Sequence, residues 1–425
     1  MPRGVRVCVA AWGALLLVWG LLIPPLQGND EAAHVDMAVL LTHHAAWPDP
    51  GQRTIDQPLV TAAGSGYGVT AVRPGDVAVR ALPWRVPLGT HEQASPIPDQ
   101  QAQQPPTWYA VLAPVVWLGE QTGLSVGHLD LLLRLLGILC ALPLPVLCWA
   151  AARRLLAMTG QPAAWAPLAA AVPLLVGGAA RCLATVTNDT PLLLASAGCV
   201  LLLLLRYAAS GARRHGVEAG LACGACVLLK GVAFALVPVV GVVGLLAVPV
   251  LSRRTRLTGA ALATGAAVLA SAPWWLRNLI ELGTPQPRGL TAVQAAGSFA
   301  AGGPRLSLAS AANTFTYDLG ATLWNGQTPQ WGQDITLIAT LLGGIVVLSA
   351  LLASRRHLRP VVVALAPAVS VVLFTAREAL WHWQHYGGVS AAQGRYLLVG
   401  LAGAAPLSRS ACTGSRAGPG CRRPG

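Results

Sequence analysis

Apolar runs long enough to cross a membrane recur along almost the whole chain. The first, Val5 to Ile23, is followed by Pro24-Pro25 and a polar, acid-rich stretch. A helix needs about 20 mostly apolar residues to cross a hydrocarbon core. The pattern therefore predicts an all-α polytopic membrane protein with about nine to ten transmembrane helices. After the first, the predicted spans are 129–152, 163–181, 190–207, 217–230, 231–251, 257–276, 335–353, 360–376 and a last one beginning at Tyr396.

Composition supports a membrane protein and argues against a nucleic-acid partner. Of the 425 residues, 54% are hydrophobic and 11% are charged, whereas soluble domains carry roughly 25% charged residues. The net charge is +13, and all but one of the 29 basic residues are Arg. Pairs such as Arg153-Arg154, Arg213-Arg214 and Arg253-Arg254 flank the apolar runs, as the positive-inside rule predicts for cytoplasmic loops.

Placing the Arg pairs in the cytoplasm fixes the direction of each crossing. Residues 25–128 then form a long first external loop, and residues 278–334 form a second one. Residues 105–120 are apolar, but a crossing there would invert every later Arg pair. We therefore predict a helix in the outer interface, with Trp108, Tyr109 and Trp117 as interfacial aromatics.

Two further boundaries follow from the same pattern. Residues 217–251 form one apolar run. We split it into two helices at Lys230-Gly231, because the Arg clusters on both sides of the run must lie in the cytoplasm. At the other end of the chain, the apolar run breaks after Leu407. We expect a membrane domain over residues 1–407 and a disordered, frameshifted or truncated tail over 408–425.

The polar residues outside the Arg pairs converge on one face in this topology. They lie at the outer ends of the predicted helices, where a random distribution would place about half of them inside. We therefore predict a single site at the outer leaflet. Its members are Asp30, Glu31, His34, Asn188, Asp189, Lys230, Arg277, Asn278, Gln393 and Arg395.

These residues, taken in order, resemble the GT-C glycosyltransferases, a superfamily that includes protein O-mannosyltransferases and lipid A aminoarabinose transferases. The similarity is strongest to little-characterised actinobacterial membrane glycosyltransferases. It is carried by Pro24-Pro25 with Asp30-Glu31-Ala-Ala-His34, by Gln104-Pro105-Pro106-Thr-Trp-Tyr109, Arg134-Leu-Leu-Gly, Asn188-Asp189, Leu228-Leu-Lys230-Gly231, Trp274-Trp275-Leu-Arg277-Asn278 and Gln393-Gly394-Arg395-Tyr396. Relatives often carry His or Lys at the position of Gln104.

The resemblance implies a GT-C-like fold in the cell membrane and a hexosyl- or pentosyltransferase. The donor would be a polyprenyl-phosphate sugar at the outer face, and the acceptor an envelope glycan, lipid or protein. Transfer needs a base near the acceptor hydroxyl and cations near the departing phosphate. For the phosphate we predict Arg395, Arg277 and Lys230; Arg277 as a snorkelling helix-end side chain is the alternative.

Asp30 is the predicted base, with Glu31 sharing this role or binding the acceptor. Burial next to hydrocarbon should raise the proton affinity of Asp30. His34, four residues later, would share a helical face and orient the carboxylate. The alternative is that Asn29 or Asp30 merely caps the helix from Glu31 to Leu41.

The remaining candidates concern substrate and cofactor. The predicted substrate-binding residues are Asn188, Asp189, Gln393, Tyr396, Trp108 and Tyr109. No cofactor is predicted, although Asp30 and Glu31 leave a divalent cation open as an alternative.

Two other functions compete with a glycosyltransferase. A transporter or lipid flippase would place its polar residues near the bilayer midplane and show repeat symmetry between halves. A truncated, non-catalytic homologue is the third interpretation, which the unusual tail favours.

Overall fold

The computed structural model describes most of the chain, with gaps. The described residues are 1–44, 46–63, 83–87, 94–246, 252–287, 305–324, 358–389 and 394–400. The predicted span at 335–353, the predicted site residue Gln393 and the tail at 408–425 lie outside them.

Helices dominate the described part of the chain. In order, they are α1 (Arg3–Leu22), α2 (Glu31–His43), α3 (Gln57–Ala63), α4 (Thr107–Gln121), α5 (Val126–Ala141), α6 (Leu144–Met158), α7 (Val172–Leu175), α8 (Gly177–Leu183), α9 (Asp189–Leu194), α10 (Leu202–Ser210), α11 (Arg213–Leu229), α12 (Val237–Leu246), α13 (Arg253–Ala270), α14 (Ala272–Leu282), α15 (Leu308–Trp324) and α16 (Leu358–Tyr386).

Shorter elements join these helices. There are 3-10 segments at Gln100–Gln103, Ala163–Ala171, Gly231–Leu236 and Gly394–Gly400, and a π-helical segment at Ala195–Leu201. Two short strands, β1 (Thr54–Asp56) and β2 (Ala94–Pro98), pair antiparallel within the first loop.

Four of the described helical stretches are long and apolar enough to cross a membrane. These are Arg3–Leu22, Val126–Met158, Asp189–Ser210 and Val362–Tyr386, and the number rises to six if each of two bent pairs is one span. The bent pairs turn by 68° after Leu175 and by 62° after Ala270. The fold is thus the all-α polytopic membrane fold that the sequence predicted. The number and direction of the crossings stay predictions.

Several predicted boundaries are confirmed. The first apolar run forms α1, and the continuous run at 217–251 breaks at Lys230, between α11 and the 3-10 segment Gly231–Leu236. The predicted span 360–376 is longer than expected, because α16 runs on to Tyr386 through the aromatic stretch after residue 380.

The helix predicted at 105–120 is also confirmed, as α4, but two of its aromatic residues are not interfacial. Trp108 is 5% exposed and Tyr109 is fully buried, whereas Trp117 is 55% exposed. Trp108 and Tyr109 pack inward because α4 lies against α2, and each belongs to an apolar cluster that includes residues of α2. The prediction of Trp108 and Tyr109 as interfacial aromatics is therefore wrong.

Helices α11 and α13 approach each other through glycine. A Cβ at Gly220 would lie 2.0 Å from the Ala263 carbonyl oxygen, and one at Gly224 would lie 2.4 Å from Ala270 Cβ. Small residues four apart allow this close backbone contact between helices in a membrane. Since Lys230 directly follows α11, the contact also positions the lysine.

We expect Gly220→Ala to destabilise the protein by about 1–3 kcal/mol, because the added methyl group must push the two backbones apart. Thermal unfolding in detergent measures the effect. Gly265→Ala on α13 is the matched control, since a Cβ there meets nothing within 4 Å. It should leave stability unchanged or slightly raise it, because Ala favours helix over Gly. Equal unfolding temperatures for the two variants would contradict the packing argument.

Candidate active site

Asp30 lies at a strained turn between α1 and α2. Its φ of 58° places it in the left-handed region, which costs a residue other than Gly some conformational energy. Asp30 is the residue before α2, but its side chain makes no capping hydrogen bond. Instead, Oδ1 accepts from Gln100 Nε2 at 2.6 Å, and Oδ2 accepts from Arg395 Nη2 at 2.6 Å. The alternative that Asp30 serves as a helix cap is therefore wrong.

A second carboxylate, Asp189, lies on the other side of Arg395. Lys230 Nζ donates to Asp189 Oδ1 at 2.6 Å, and Arg395 Nε lies 3.5 Å from Asp189 Oδ2. Thr187 Oγ1 donates to the same Oδ2 at 3.1 Å. Two carboxylates and two cations thus alternate in the order Asp30, Arg395, Asp189, Lys230. The four come from distant parts of the chain, and each formal charge is balanced by an opposite neighbour.

Three of these four groups, Asp30, Arg395 and Lys230, line a cavity of about 650 Å³, and Tyr396 belongs to the same lining. The Tyr396 ring lies 5.1 Å from Lys230 Nζ and 5.8 Å from Arg395 Cζ, at cation–π distance. The other walls come from the 3-10 segment Gln100–Gln103, the loop after α14, and the α16 face that carries Thr375, Glu378 and His382.

The charge on Asp30 differs from the sequence-based expectation. Burial by itself would raise the pKa of this carboxyl, but the adjacent Arg395 guanidinium, with a smaller contribution from Lys230, lowers it below its usual value. The prediction of raised proton affinity is therefore wrong for this arrangement. It considered burial alone and missed the guanidinium that holds Asp30 in its charged form.

His34 lies behind the cavity, not in its lining. Its ring is 1% exposed, and Nδ1 is 2.9 Å from the Tyr109 hydroxyl. Burial and the nearby Lys230 lower the pKa of His34 to about 3, so the ring is neutral at physiological pH. Nε2 has no hydrogen-bond partner among the described residues. His34 and Tyr109 thus form a buried, uncharged pair. Neither residue lines the cavity, so neither is placed to contact a ligand there.

Glu31 is held away from the cavity by Arg134. Arg134 Nε donates to Glu31 Oε1 at 2.8 Å and Nη2 donates to Oε2 at 2.6 Å, and both side chains are about 1% exposed. The backbone N–H groups of Val186 and Gly28 also donate to this carboxylate, each at 2.8 Å. With both oxygens occupied, Glu31 is placed neither to act as a base nor to ligate a cation with Asp30. The prediction that it shares the catalytic role has no support in this geometry.

Arg134 also fixes the end of α1. Its guanidinium donates to the carbonyl oxygens of Gly20, Ile23 and Pro24 at 2.8, 2.5 and 2.8 Å. These carbonyls belong to the last turn of α1 and to the two residues after it, where intrahelical partners run out. Arg134 therefore determines where the chain leaves α1 and turns into Asp30.

Arg277 lies outside the cavity lining. Its Nη2 donates to Asp49 Oδ1 at 2.8 Å and to the Trp47 carbonyl oxygen at 3.1 Å, and its Nε pairs with Glu281. The partly exposed Arg277 thus ties α14 to the first loop. The prediction that it joins Lys230 and Arg395 at a phosphate site is wrong for this structure, since its donors face another group of acids.

The remaining predicted residues divide between the cavity and its surroundings. Asn188 is fully buried, and neither its Oδ1 nor its Nδ2 has a partner among the described residues. Neither Asn188 nor Trp108 lines the cavity, whereas Tyr396 does. No group of three or more His, Cys, Asp or Glu side chains is placed to hold a metal ion within the described ranges.

Sequence reasoning assigned no role to the glutamines that line the cavity, although the signal was visible. Gln100, Gln101, Gln103 and Gln104 stand together in a run interrupted only by Ala102. All four line the cavity, together with Gln286 from the loop after α14. Four amide side chains within five residues, directly before an apolar helix, form a local pattern that indicates a polar lining for a cavity.

The described part of the chain has an all-α polytopic membrane fold, with one polar cavity among its helices. Two crystal structures of the Archaeoglobus fulgidus oligosaccharyltransferase are similar to this chain. One, in the apo form, has 15% identity and a TM-score of 0.49 over 96% of this chain and 50% of that one. The other, tethered to an acceptor peptide containing the NVT sequon through a disulfide bond, has 14% identity and a TM-score of 0.50 over 96% and 49%.

Residues 14–401 match the family described as predicted membrane protein DUF2142, and the chain belongs to this family. No curated protein sequence matches the chain. The chain spans about half the length of the archaeal enzyme, and the low identity means that the likeness shows the fold alone. Activity, substrates and partners are therefore argued from the site.

Proposed function

We propose that this protein is a glycosyltransferase of the cell membrane. It moves a hexose or pentose from a polyprenyl-phosphate donor to an acceptor hydroxyl at the outer face. The observation that carries the proposal is the placement of one carboxylate, Asp30, beside two cations, Lys230 and Arg395, on the wall of a single cavity of about 650 Å³. Sugar transfer from a lipid phosphate needs these two kinds of group close together.

Arg395 is the principal phosphate ligand in this proposal. A guanidinium can present two N–H donors to two oxygens of one phosphate, and it stays charged when buried. The Arg395 side chain is 7% exposed and already holds two carboxylates, Asp30 and Asp189. A phosphate that enters the cavity would take the place of the Asp30 carboxylate on Arg395. Lys230, held by Asp189, would supply the second positive charge.

This exchange would also prepare the base. Arg395 is the main group that lowers the pKa of Asp30, so the pKa should rise when the guanidinium turns to a phosphate. The acceptor hydroxyl oxygen then forms a bond to the anomeric carbon and gives its proton to Asp30. The bond from that carbon to the phosphate oxygen breaks, and the electron pair leaves on the phosphate, which Arg395 and Lys230 stabilise.

A transfer assay with the full chain in liposomes tests the proposal. The donors are a panel of polyprenyl-phosphate hexoses and pentoses, and the acceptors are a glycan, a lipid and a peptide. A peptide is included because the archaeal enzyme of similar fold was crystallised with one. Formation of a glycosylated product supports the proposal. Movement of the lipid between leaflets without sugar transfer would favour a flippase, and no change in any lipid would favour a non-catalytic protein.

Arg395→Lys should weaken both donor binding and turnover, by about 10-fold or more each. Lysine keeps the charge but loses the pair of donors that can hold Asp30 and Asp189 or a phosphate together. The change is measured as KM for the lipid donor and as kcat in the liposome assay. Arg277→Lys is the matched control, because Arg277 also pairs with a carboxylate but does not line the cavity. If both variants keep wild-type kinetics, Arg395 does not hold the phosphate.

A further inference from the structure

Resting on the proposed function, we propose that the glutamine wall of the cavity, formed by Gln100, Gln103 and Gln104, binds the uncharged, hydroxylated sugar ring of the substrate. Lys230 and Arg395 would hold only the phosphate. The cavity would thus be divided into a cationic subsite and a neutral amide subsite, with Asp30 between them.

The backbone that carries the glutamine wall is fixed at three points. Asp99 Oδ1 accepts from Gln101 N at 2.7 Å, and Trp47 Nε1 donates to the Ala102 carbonyl oxygen at 3.1 Å. Gln286 Nε2 donates to the Gln103 carbonyl oxygen at 3.1 Å. The side chains therefore extend from a rigid turn, so that little conformational entropy is lost when a ligand is bound.

The side-chain amides of Gln100, Gln103 and Gln104 are only partly hydrogen-bonded to other described residues. Gln100 Nε2 donates to Asp30 Oδ1, and Gln104 Oε1 accepts from Gly231 N at 3.0 Å. No hydrogen bond is made by Gln100 Oε1, by Gln104 Nε2 or by the Gln103 side chain among the described residues. An acceptor, a donor and a complete amide are thus available along one wall of the cavity.

This set of groups fits hydroxyls better than it fits a phosphate or an ammonium group. An amide can donate and accept, as a hydroxyl can, so neighbouring ring hydroxyls can be bound in pairs. The wall carries no charge of its own, and it would not compete with Lys230 and Arg395 for the phosphate. Gln104 also contacts Gly231, the residue next to Lys230, so the amide subsite adjoins the cationic one. A phosphate-linked sugar has the same order of groups, with the ring next to the phosphate.

The contribution of Gln286 is to hold the wall, not to bind the sugar. Its Oε1 accepts from Trp274 Nε1 at 2.9 Å while Nε2 holds the Gln103 carbonyl, so both ends of this amide are occupied. A Cβ at Gly231 would lie 2.5 Å from Gln286 Nε2, so a larger residue there would displace this amide. Gln286 is therefore a positioning residue.

The test compares two lipids in nanodiscs containing the full chain: polyprenyl phosphate without a sugar, and the same lipid bearing a hexose or pentose. The variants are Gln103→Met, Gln104→Met and the double variant. Gln121→Met is the control, because it makes the same substitution at an exposed position at the end of α4, outside the cavity. The wild type should bind the sugar-bearing lipid more tightly than the bare one. Each cavity variant should lower affinity for the sugar-bearing lipid by about 3- to 10-fold, the range expected for one lost hydrogen bond, while bare-lipid affinity stays unchanged.

Each other outcome is decisive in a different way. If the wild type binds both lipids equally, or if the variants weaken both equally, the amide subsite is refuted while the lipid-phosphate donor stands. If the wild type binds neither lipid, the proposed function fails and the subsite fails with it. Gln103→Met breaks no hydrogen bond of the described structure, so it decides the matter if Gln104→Met unfolds the protein.

Discussion

Replacing Asp30 with Asn should lower the rate of sugar transfer by roughly 10²–10⁴-fold, the usual contribution of a general base. Asparagine has nearly the same shape and can still accept a hydrogen bond from Gln100 or Arg395, but it cannot take the acceptor proton. Binding of the lipid donor should survive, because the neutral amide of the Asp30→Asn variant would compete less strongly than a carboxylate for Arg395. The effect therefore appears in kcat, and it is measured in the liposome assay under saturating donor.

Asp49→Asn is the control for this experiment. Asp49 also belongs to the first loop and also pairs with an arginine, Arg277, but neither residue lines the cavity. Its replacement should leave kcat within about 2-fold of the wild type, since surface pairs contribute little. Near-normal transfer by the Asp30 variant would exclude Asp30 as the base. Glu378, the other carboxylate that lines the cavity within the described residues, would then be tested next.

Arg134→Met should reduce the free energy of unfolding by about 3–5 kcal/mol, the cost of leaving one charge of a buried ion pair alone. Arg134, Glu31 and Asp130 are almost fully buried, and the variant would remove the guanidinium that both carboxyl groups share, which leaves Glu31 the backbone donors of Val186 and Gly28. The carbonyl oxygens of Gly20, Ile23 and Pro24 would lose their donors as well. Unfolding with denaturant in detergent measures the loss.

Arg277→Met serves as the comparison, because the Arg277 side chain is 22% exposed and its carboxylate partners are partly exposed too. Its stability should change by no more than about 1 kcal/mol. Adding Glu31→Gln to Arg134→Met should recover part of the loss, since one of the two carboxyl groups that Arg134 holds is then replaced by a neutral amide. A change below about 1 kcal/mol in Arg134→Met would show that Arg134 does not anchor the end of α1.

The helices could be predicted from local sequence because their causes are local. A run of about 20 apolar residues has few options in a membrane other than a helix. The break at Lys230 could also be predicted, because the flanking Arg pairs required two segments in a single apolar run. The bends after Leu175 and Ala270 were not predicted, because each interrupts a run whose hydropathy stays high.

The composition of the site was harder to predict than its helices. Asp30, Lys230 and Arg395 were named from their positions at helix ends, and they do line one cavity. Arg277 was named for the same reason, yet it pairs with Asp49 and lies elsewhere. Position along a helix fixes the depth of a residue in the bundle, but not the direction in which its side chain points around the bundle. Direction depends on which helices are neighbours, and one sequence does not contain that information.

Asp30 and Glu31 show what the sequence determined and what only the tertiary structure decided. The sequence by itself determined the class of protein, the position of the first helix, and an acidic pair placed directly after it. It could not distinguish between the two acids, because they are adjacent and chemically alike. The structure separates them: the left-handed turn at Asp30 directs one carboxylate to Arg395 and the cavity, while Arg134 holds the other behind it. These partners lie 365 and 103 residues away in the chain. Such contacts exist only once the helices are packed, so the charge and accessibility of each carboxylate are properties of the folded bundle.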